Sequence, residues 1–354
     1  MKQIYDRLDR VLHSLSVDAA AINGWSDNGA LATLRWCGKH GVPAIVMSES
    51  NRVDFNRRPL REFIKRCLVG NSASGLVGGS LARDYLHHLG MPVERIFDGY
   101  DAIDNDHFAP PRDVSREVIR RELGFPRSYF LASNRFIEKK NLPRLVEAYA
   151  SYRQGGRKVI RPQATGSERL STSSQARQVT VGEPDSGPWD LVLLGDGPEK
   201  ESIVRQVQRL GLTDAVHFPG FRQYDELPTY YWGAGAFVHA STTEQWGLVI
   251  NEAMAAGLPV IASSRCGSTT DLVIDSKTGF VFDPTDIQRL TDRMIRVAGD
   301  ESIRTQMSVA ASRHIANWGP QRFASGMKQA VDVALNHPSP ARWIDRLILS
   351  MACR

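Results

Sequence analysis

Two glutamates, Glu244 and Glu252, stand with seven residues between them in the segment EQWGLVINEAMAAGLPVIAS (244–263), where the surroundings of Glu252 are apolar or small. Gly257-Leu-Pro259 ends a helix expected to start near Trp246 or Gly247, so Glu244 falls just before it and Glu252 inside it. The opening amides of such a helix, around Gly247 and Leu248, lack intrahelical partners and lie at the positive end of its dipole, which suits a phosphate. Gly247 has no side chain to obstruct the approach. A carboxylate can accept hydrogen bonds from two neighbouring hydroxyls, as in a ribose diol or a sugar ring. The same residues could instead be a helix-capping acid and a partly buried acid paired to an arginine. An unpaired charge in an apolar helix is costly, which weighs against a purely structural Glu252.

A second group is basic. In ASNRFIEKKNLPRLVEAY (132–149) a strand ends at Ser133, and Arg135, Lys139 and Lys140 precede a helix expected over Leu142–Tyr149. Residues just past the carboxyl end of a strand in an open α/β sheet lie where such folds bind ligands. An arginine fork and a lysine point charge together can neutralise a diphosphate, although an exposed basic loop has the same composition. A third piece, Leu193-LGDGPE199, is a strand followed by a glycine turn into a helix. It is neither a Walker A sequence nor a full GxGxxG, and the turn alone would account for its glycines; Gly195 is counted with the ligand-binding set. Asp104-Asn105-Asp106 has an Asp-x-Asp form that can hold a divalent ion, but it falls in an expected linker, and no metal site is assigned. His13, His40, His87, His88, His107 and His217 show no ligand spacing.

The elements that must position these groups alternate strand and helix. MKQIYDRLDRVLHSL is an amphipathic helix with Ile4, Leu8, Val11, Leu12 and Leu15 on one face, too charged for a signal peptide. Apolar runs at 17–23, 41–47 and 75–77 read as strands of a first sheet. Runs at 129–133, 191–194, 215–221, 236–240, 258–263 and 279–282 read as a second, fuller one. Strands alternating with helices imply parallel sheets covered on both faces. The Pro-Pro and clustered acids of 100–112 mark a boundary. The Ser, Gly, Gln and Arg-rich stretch 154–188 holds too little apolar surface to order itself and reads as a disordered insertion. With 354 residues the chain is long enough for two domains, and a net charge of +5 suits anionic small molecules without singling out nucleic acid. Four scattered cysteines without a CxxC fit a reduced cytoplasmic protein without structural zinc. No apolar run reaches the roughly 20 residues of a membrane span. The C-terminal RWIDRLILSMACR (342–354) is expected to pack back on the first domain, with a membrane surface as its other candidate.

In order and spacing these pieces resemble the retaining glycosyltransferases of family 4, the group 1 class with the GT-B fold. The resemblance rests on RFIEKKNL (135–142), LLGDGPE (193–199), VHFPGF (216–221), the Glu244–Ser263 segment, Cys266-Gly267, Asp271-Leu-Val273 and GFVFDP (279–284), with a weaker match over 18–25 and 99–108. It implies two Rossmann-like domains facing a cleft. The N-terminal acceptor-side domain is expected over 1–111, opening near the middle of the family's domain and so truncated. The nucleotide-sugar donor domain takes 112–318, and C-terminal helices 319–354 return toward the first domain. By resemblance, Arg135 and Lys140 hold the donor diphosphate with amides near Gly247 and Leu248. Glu252 binds the ribose hydroxyls, Glu244 contacts the donor sugar near the reacting carbon, and Gly220-Phe221-Arg222 lies against the base. The implied activity is sugar transfer from a nucleotide diphosphate to an acceptor hydroxyl with retained configuration, without metal or other cofactor. Its partners are a nucleotide-sugar donor, a glycan or lipid-linked acceptor and a peripheral membrane contact, with no nucleic acid, at a cytoplasmic location. The competing expectation is a non-catalytic nucleotide-sugar-binding protein. Two departures stand out: Glu138-Lys-Lys-Asn141 replaces the usual Pro-Glu-Lys-Gly, and Asn23 stands where the family often has histidine.

Overall fold

The computed structural model describes residues 2–54, 57–111, 113–125, 127–159, 187–337, 339 and 341–353. Its first half runs α1 (Lys2–Ser14), β1 (Ala20–Asn23), α2 (Asn28–His40), β2 (Ala44–Ser48), α3 (Pro59–Val69), β3 (Ser74–Val77), α4 (Ser80–His88) and β4 (Ile96–Asp98). The four strands form a parallel sheet in sequential order, with Ile22 beside Val46, Val46 beside Gly75 and Leu76 beside Phe97. Gly75 is required by packing: a Cβ there would stand 2.4 Å from the Leu86 side chain of α4. The face of α1 differs from expectation. Tyr5, Leu8 and Leu12 turn to the core, while Ile4, Val11 and Leu15 are exposed. The short β4 is an addition to the strands expected from sequence.

The second half runs α5 (Asn105–Phe108), α6 (Arg116–Glu122), β5 (Tyr129–Ser133), α7 (Leu142–Val159), β6 (Asp190–Leu194), α8 (Lys200–Arg209), β7 (Val216–Gly220), α9 (Leu227–Gly233), β8 (Ala236–His239), α10 (Val249–Ala255), β9 (Val260–Ser263), α11 (Thr269–Leu272), β10 (Gly279–Phe282), α12 (Ile287–Gly299) and α13 (Glu301–Ile315). Its sheet is parallel throughout, in the order β10-β9-β8-β5-β6-β7. Strands such as Asp190–Leu194 and Val260–Ser263 are buried at every position, as a sheet with helices on both faces requires. The strand order reverses between β5 and β8, which sets the ligand crevice of such a fold at their carboxyl ends.

Three expectations change here. Helix α7 continues to Val159, so the irregular stretch does not begin at 154; the rest of the expected insertion, 160–186, lies outside the described residues. Helix α10 begins at Val249, and Glu252 is therefore in its first turn rather than deeper. Ile103 and Phe108 belong to the core of the second domain, so the chain passes between domains over residues 99–102, ahead of the Pro-Pro segment. Asp104 has a structural occupation as the N-cap of α5, accepting from the amides of Asp106 and His107.

The last two helices, α14 (Pro320–Asn336) and α15 (Trp343–Ala352), return to the first domain. Ser74 Oγ donates to Ala330 O at 2.7 Å, and Asn71 Nδ2 donates to Asp345 O at 3.1 Å. The two domains also meet directly. A Cβ at Gly79 would lie 2.6 Å from the Trp246 ring and 2.3 Å from the Asp271 carboxylate, and the Ser80 amide donates to Asp271 Oδ2 at 3.0 Å. The Gly78-Gly79 pair is thus where the first domain's backbone approaches the second.

Candidate functional site

At the carboxyl ends of β5 and β6 a cavity of about 520 Å³ is lined by Ser133, Asn134, Arg135, Lys140, Gly195, Asp196, Phe221, Arg222 and Val249, among others. Five of the expected site residues, Arg135, Lys140, Gly195, Phe221 and Arg222, therefore converge on one hollow. Glu244, Glu252, Gly247 and Leu248 are not in its lining. Gly195 sits at φ 123°, and a Cβ on it would lie 1.9 Å from Asn134 O. Only glycine lets the end of β6 pass the end of β5 this closely. Phe221 is exposed on the cavity wall, an apolar face suited to a flat ring, and Arg222 is braced by donating from Nε to Tyr230 Oη at 2.7 Å.

The turn Glu138–Lys140 is fixed by Asn141, whose φ of 57° is the left-handed conformation that asparagine tolerates after glycine. The buried Asn141 amide donates to Ala240 O and Pro284 O, both at 3.0 Å. Asn141 thus holds the turn in place. It also aims two ammonium groups at Glu244: Lys139 Nζ donates to Oε1 at 3.0 Å, and Lys140 Nζ donates to Oε2. Burial would raise the Glu244 carboxyl, but Lys140 and Lys139 outweigh it and hold the pKa below the ordinary value. Arg135 makes no ion pair among the described residues and is open to the cavity.

Glu244 is placed by backbone on both sides. Its amide donates to Arg265 O at 3.1 Å, and its carbonyl accepts from the Gly267 amide at 3.0 Å. Gly247 follows at φ 98°, where a Cβ would lie 2.8 Å from Cys266 Sγ, 3.3 Å from Glu244 Cγ and 3.7 Å from His239 Nε2. His239, at the end of β8, was not among the histidines weighed from sequence. It is fully buried, neither ring nitrogen has a partner among the described residues, and burial followed by Lys140 pushes its pKa down to about 3. The imidazole is therefore neutral. A histidine ending an otherwise apolar strand was the available signal.

Glu252 has no counter-ion among the described residues. Its Oε2 accepts from Tyr231 Oη at 2.6 Å, and burial raises its pKa despite that bond and the nearby His107. The arginine partner of the structural alternative is thus missing, and a phenol takes its place. Glu252→Ala is expected to weaken nucleotide binding about 10- to 100-fold, the worth of charge-assisted hydrogen bonds to two hydroxyls. Calorimetric titration with a nucleoside diphosphate checks this, and unchanged affinity would remove the role.

The first domain faces Glu244 with acids that sequence spacing could not bring together. Glu49 follows β2, and burial and then Glu244 raise its carboxyl pKa, against Lys139. Tyr100 Oη donates to Asn23 Oδ1 at 3.1 Å. Asp101 is buried with Oδ2 unpartnered among the described residues, and burial and then Glu49 push its pKa up to about 8. A carboxyl with a higher pKa folded than unfolded takes up a proton on folding. Its contribution to stability is therefore lost as pH rises from about 4 to about 8, at about 1.4 kcal/mol per pH unit. Asp101→Asn should flatten the pH dependence of urea unfolding across that window; parallel profiles for wild type and variant would mean Asp101 is ionised when folded.

Residues flanking Glu244 are gripped by the first domain. Asn51 Nδ2 donates to Gln245 O at 3.1 Å, Thr243 Oγ1 donates to Asp54 O at 3.1 Å, and Gln245 Nε2 donates to Asp54 Oδ2 at 3.4 Å. Arg57 pairs with Asp54 behind this contact.

Residues 115–314 match the family model described as glycosyl transferases group 1. The sulfoquinovosyl transferase SQD2 of Arabidopsis thaliana is 35% identical over 34% of this chain and 23% of its own length. A GDP-mannose-dependent phosphatidylinositol monomannoside mannosyltransferase of Mycolicibacterium smegmatis is 29% identical over 61% of this chain and 50% of its own. A D-inositol 3-phosphate glycosyltransferase of Corynebacterium urealyticum is 28% identical over 92% and 73%. The chain thus matches half or less of the first two relatives. Among solved structures, Anabaena Alr3699/HepE in complex with UDP superposes with a TM-score of 0.71 at 18% identity, covering 92% of this chain and 81% of that one. Sucrose-phosphate synthase of Thermosynechococcus elongatus gives 0.70 at 20% identity, over 93% and 76%. These likenesses agree with the two facing Rossmann-like domains of the GT-B fold. The family match spans more than half of the chain and takes in Arg135, Lys140, Glu244 and Glu252, and the chain belongs to the glycosyl transferases group 1 family.

Proposed function

We propose that the protein is a retaining glycosyltransferase that moves a sugar from a nucleotide-diphosphate sugar to an acceptor hydroxyl, at a membrane face in polysaccharide, lipopolysaccharide or glycolipid synthesis. The observation that carries this reading is the cavity at the carboxyl ends of β5 and β6, where Arg135 and Lys140 stand beside a wall of Phe221 and Arg222. The diphosphate would lie against Arg135 and Lys140, and the base against Phe221. Glu252, held by Tyr231, would take the ribose diol, and Glu244 the sugar hydroxyls near the anomeric carbon.

In the transfer the bond from the anomeric carbon to the diphosphate breaks, and its electron pair leaves with the diphosphate. The acceptor oxygen bonds the same carbon and gives its proton to the departing diphosphate. Charge grows on the diphosphate as it departs, and Arg135, already open to the cavity, stabilises it without reorganising. Lys140 must then turn from Glu244 toward the phosphate, while Lys139 stays with the carboxylate. Arg135 and Lys140 supply the positive charge that this step asks for, so activity should persist in the presence of a chelator.

The test is turnover with UDP-, GDP- and ADP-sugars and glycan or lipid-linked acceptors. Release of nucleoside diphosphate should accompany a product whose anomeric configuration, read by NMR, equals that of the donor. An inverted product would overturn retention. Tight donor binding without turnover by any acceptor would establish the rival reading, a nucleotide-sugar-binding protein.

A further inference from the structure

On the outer side of the first domain α3 and α15 lie against each other. The Asn71–Asp345 bond ties them, and Ser339 Oγ adds another by donating to Gly70 O at 2.9 Å. Their inner sides are filled by Cys67, Leu68, Val69 and Leu349. Their outer sides are not covered. Helix α15 shows Trp343, 75% exposed, with Leu347 and Met351 following at four-residue intervals, which makes one stripe. Helix α3 shows Leu60, 71% exposed, and Phe63.

Exposed arginines alternate with these side chains: Arg58 at the N-cap of α3, Arg61 and Arg66 within it, Arg342 at the N-cap of α15, and Arg346. Neither helix has an exposed carboxylate. Glu62 is half-buried and engaged by Lys65 and Tyr85, and Asp345 is buried and held by Arg342. Single exposed apolar residues are ordinary, but five on two adjoining helices among five arginines and no acid are not. A second copy of this chain would bring arginine against arginine in a symmetric contact. The boundary between headgroups and acyl chains of an anionic bilayer matches both components at once. It takes Trp, Leu and Met into the acyl edge and puts guanidinium groups among phosphates.

We propose that the α3–α15 face of the first domain docks on an anionic phospholipid surface. Leu60 and Phe63 lie in the first turns of α3, just past Arg57 and the Asp54 contact to Gln245, so docking would place the cleft beside the lipid headgroups. This deepens the reading of a transferase at a membrane, but lipid binding is measured without donor or acceptor.

The full chain is mixed with vesicles of phosphatidylcholine alone, or of phosphatidylcholine with phosphatidylglycerol, and sedimented. Partitioning should be about tenfold or more in favour of the anionic vesicles and should fall with salt. Arg58→Gln, Arg61→Gln and Arg346→Gln should each reduce it about fivefold. Trp343→Ser with Leu347→Ser should reduce binding to both vesicle types, with an unfolding midpoint equal to wild type showing that the fold is kept. Brominated lipid should quench the tryptophan fluorescence of the wild type more than that of Trp343→Phe. Equal partitioning to both vesicle types, no binding at low salt, or a concentration-dependent dimer abolished by Trp343→Ser would each overturn the docking face. Binding without sugar transfer would leave the face standing and defeat the transferase reading. Transfer without binding would do the reverse.

Discussion

Glu244→Gln is expected to lower kcat by about 10²- to 10³-fold while changing nucleotide affinity by no more than about threefold. The substitution keeps the shape and one acceptor oxygen but removes the charge that Lys139 and Lys140 now share. A carboxylate beside the anomeric carbon acts most strongly when positive charge develops there, so its loss belongs to kcat. The variant also leaves two ammonium groups around a neutral amide, and about 1–2 kcal/mol of stability should go with them. Steady-state kinetics alongside calorimetric titration with a nucleoside diphosphate separates the two. A variant with near wild-type kcat and a raised KM would make Glu244 a ground-state contact only.

Arg135→Ala and Lys140→Ala should each reduce kcat/KM by about 10²- to 10³-fold, the range seen when a preorganised donor to developing charge is removed. Arg135 is open to the cavity and has no other duty among the described residues, so its loss should leave the fold intact. Lys140 is largely buried and engaged with Glu244, so its removal should cost stability as well as rate. If both hold one diphosphate, the double variant should lose less than the product of the single losses. Binding of a nucleoside without phosphates should be unchanged in either variant, because the proposed base and ribose contacts, Phe221 and Glu252, are other residues. A uniform loss for nucleoside and nucleoside diphosphate alike would mean that the substitutions damage the pocket rather than the phosphate grip.

The second sheet was legible because most of its strands are short apolar runs with glycine or proline at one end, and a strand buried on both faces needs nothing else. The basic loop after β5 was legible for the same reason: the strand end locates it. β4 was not, since only Ile96 of its three residues is buried and no run marks it. The start of α10 was placed too early because Trp246 continues the apolar pattern, whereas Gly247 stands at φ 98° and breaks the helix. The charged partners were the least visible part. Lys139 and Lys140 meet Glu244 across more than a hundred residues of sequence, while Glu49 comes from a loop of the other domain and Asp101 from the passage between the two. Such meetings are set by topology, and no local spacing encodes them. His239 was hidden by an apolar strand whose last residue happens to be polar.

The hydrogen bonds that join Asn51 and Asp54 to Thr243 and Gln245 carry a consequence for recombining such domains. The loop bearing Glu244 is completed by the other half of the molecule, so the halves are not freely exchangeable modules. A chimera that takes its first domain from a relative would have to inherit residues 49–54 together with the 243–245 segment they hold. A graft that ignores this would carry every side chain of the second domain's cavity and still present Glu244 on an unsupported loop.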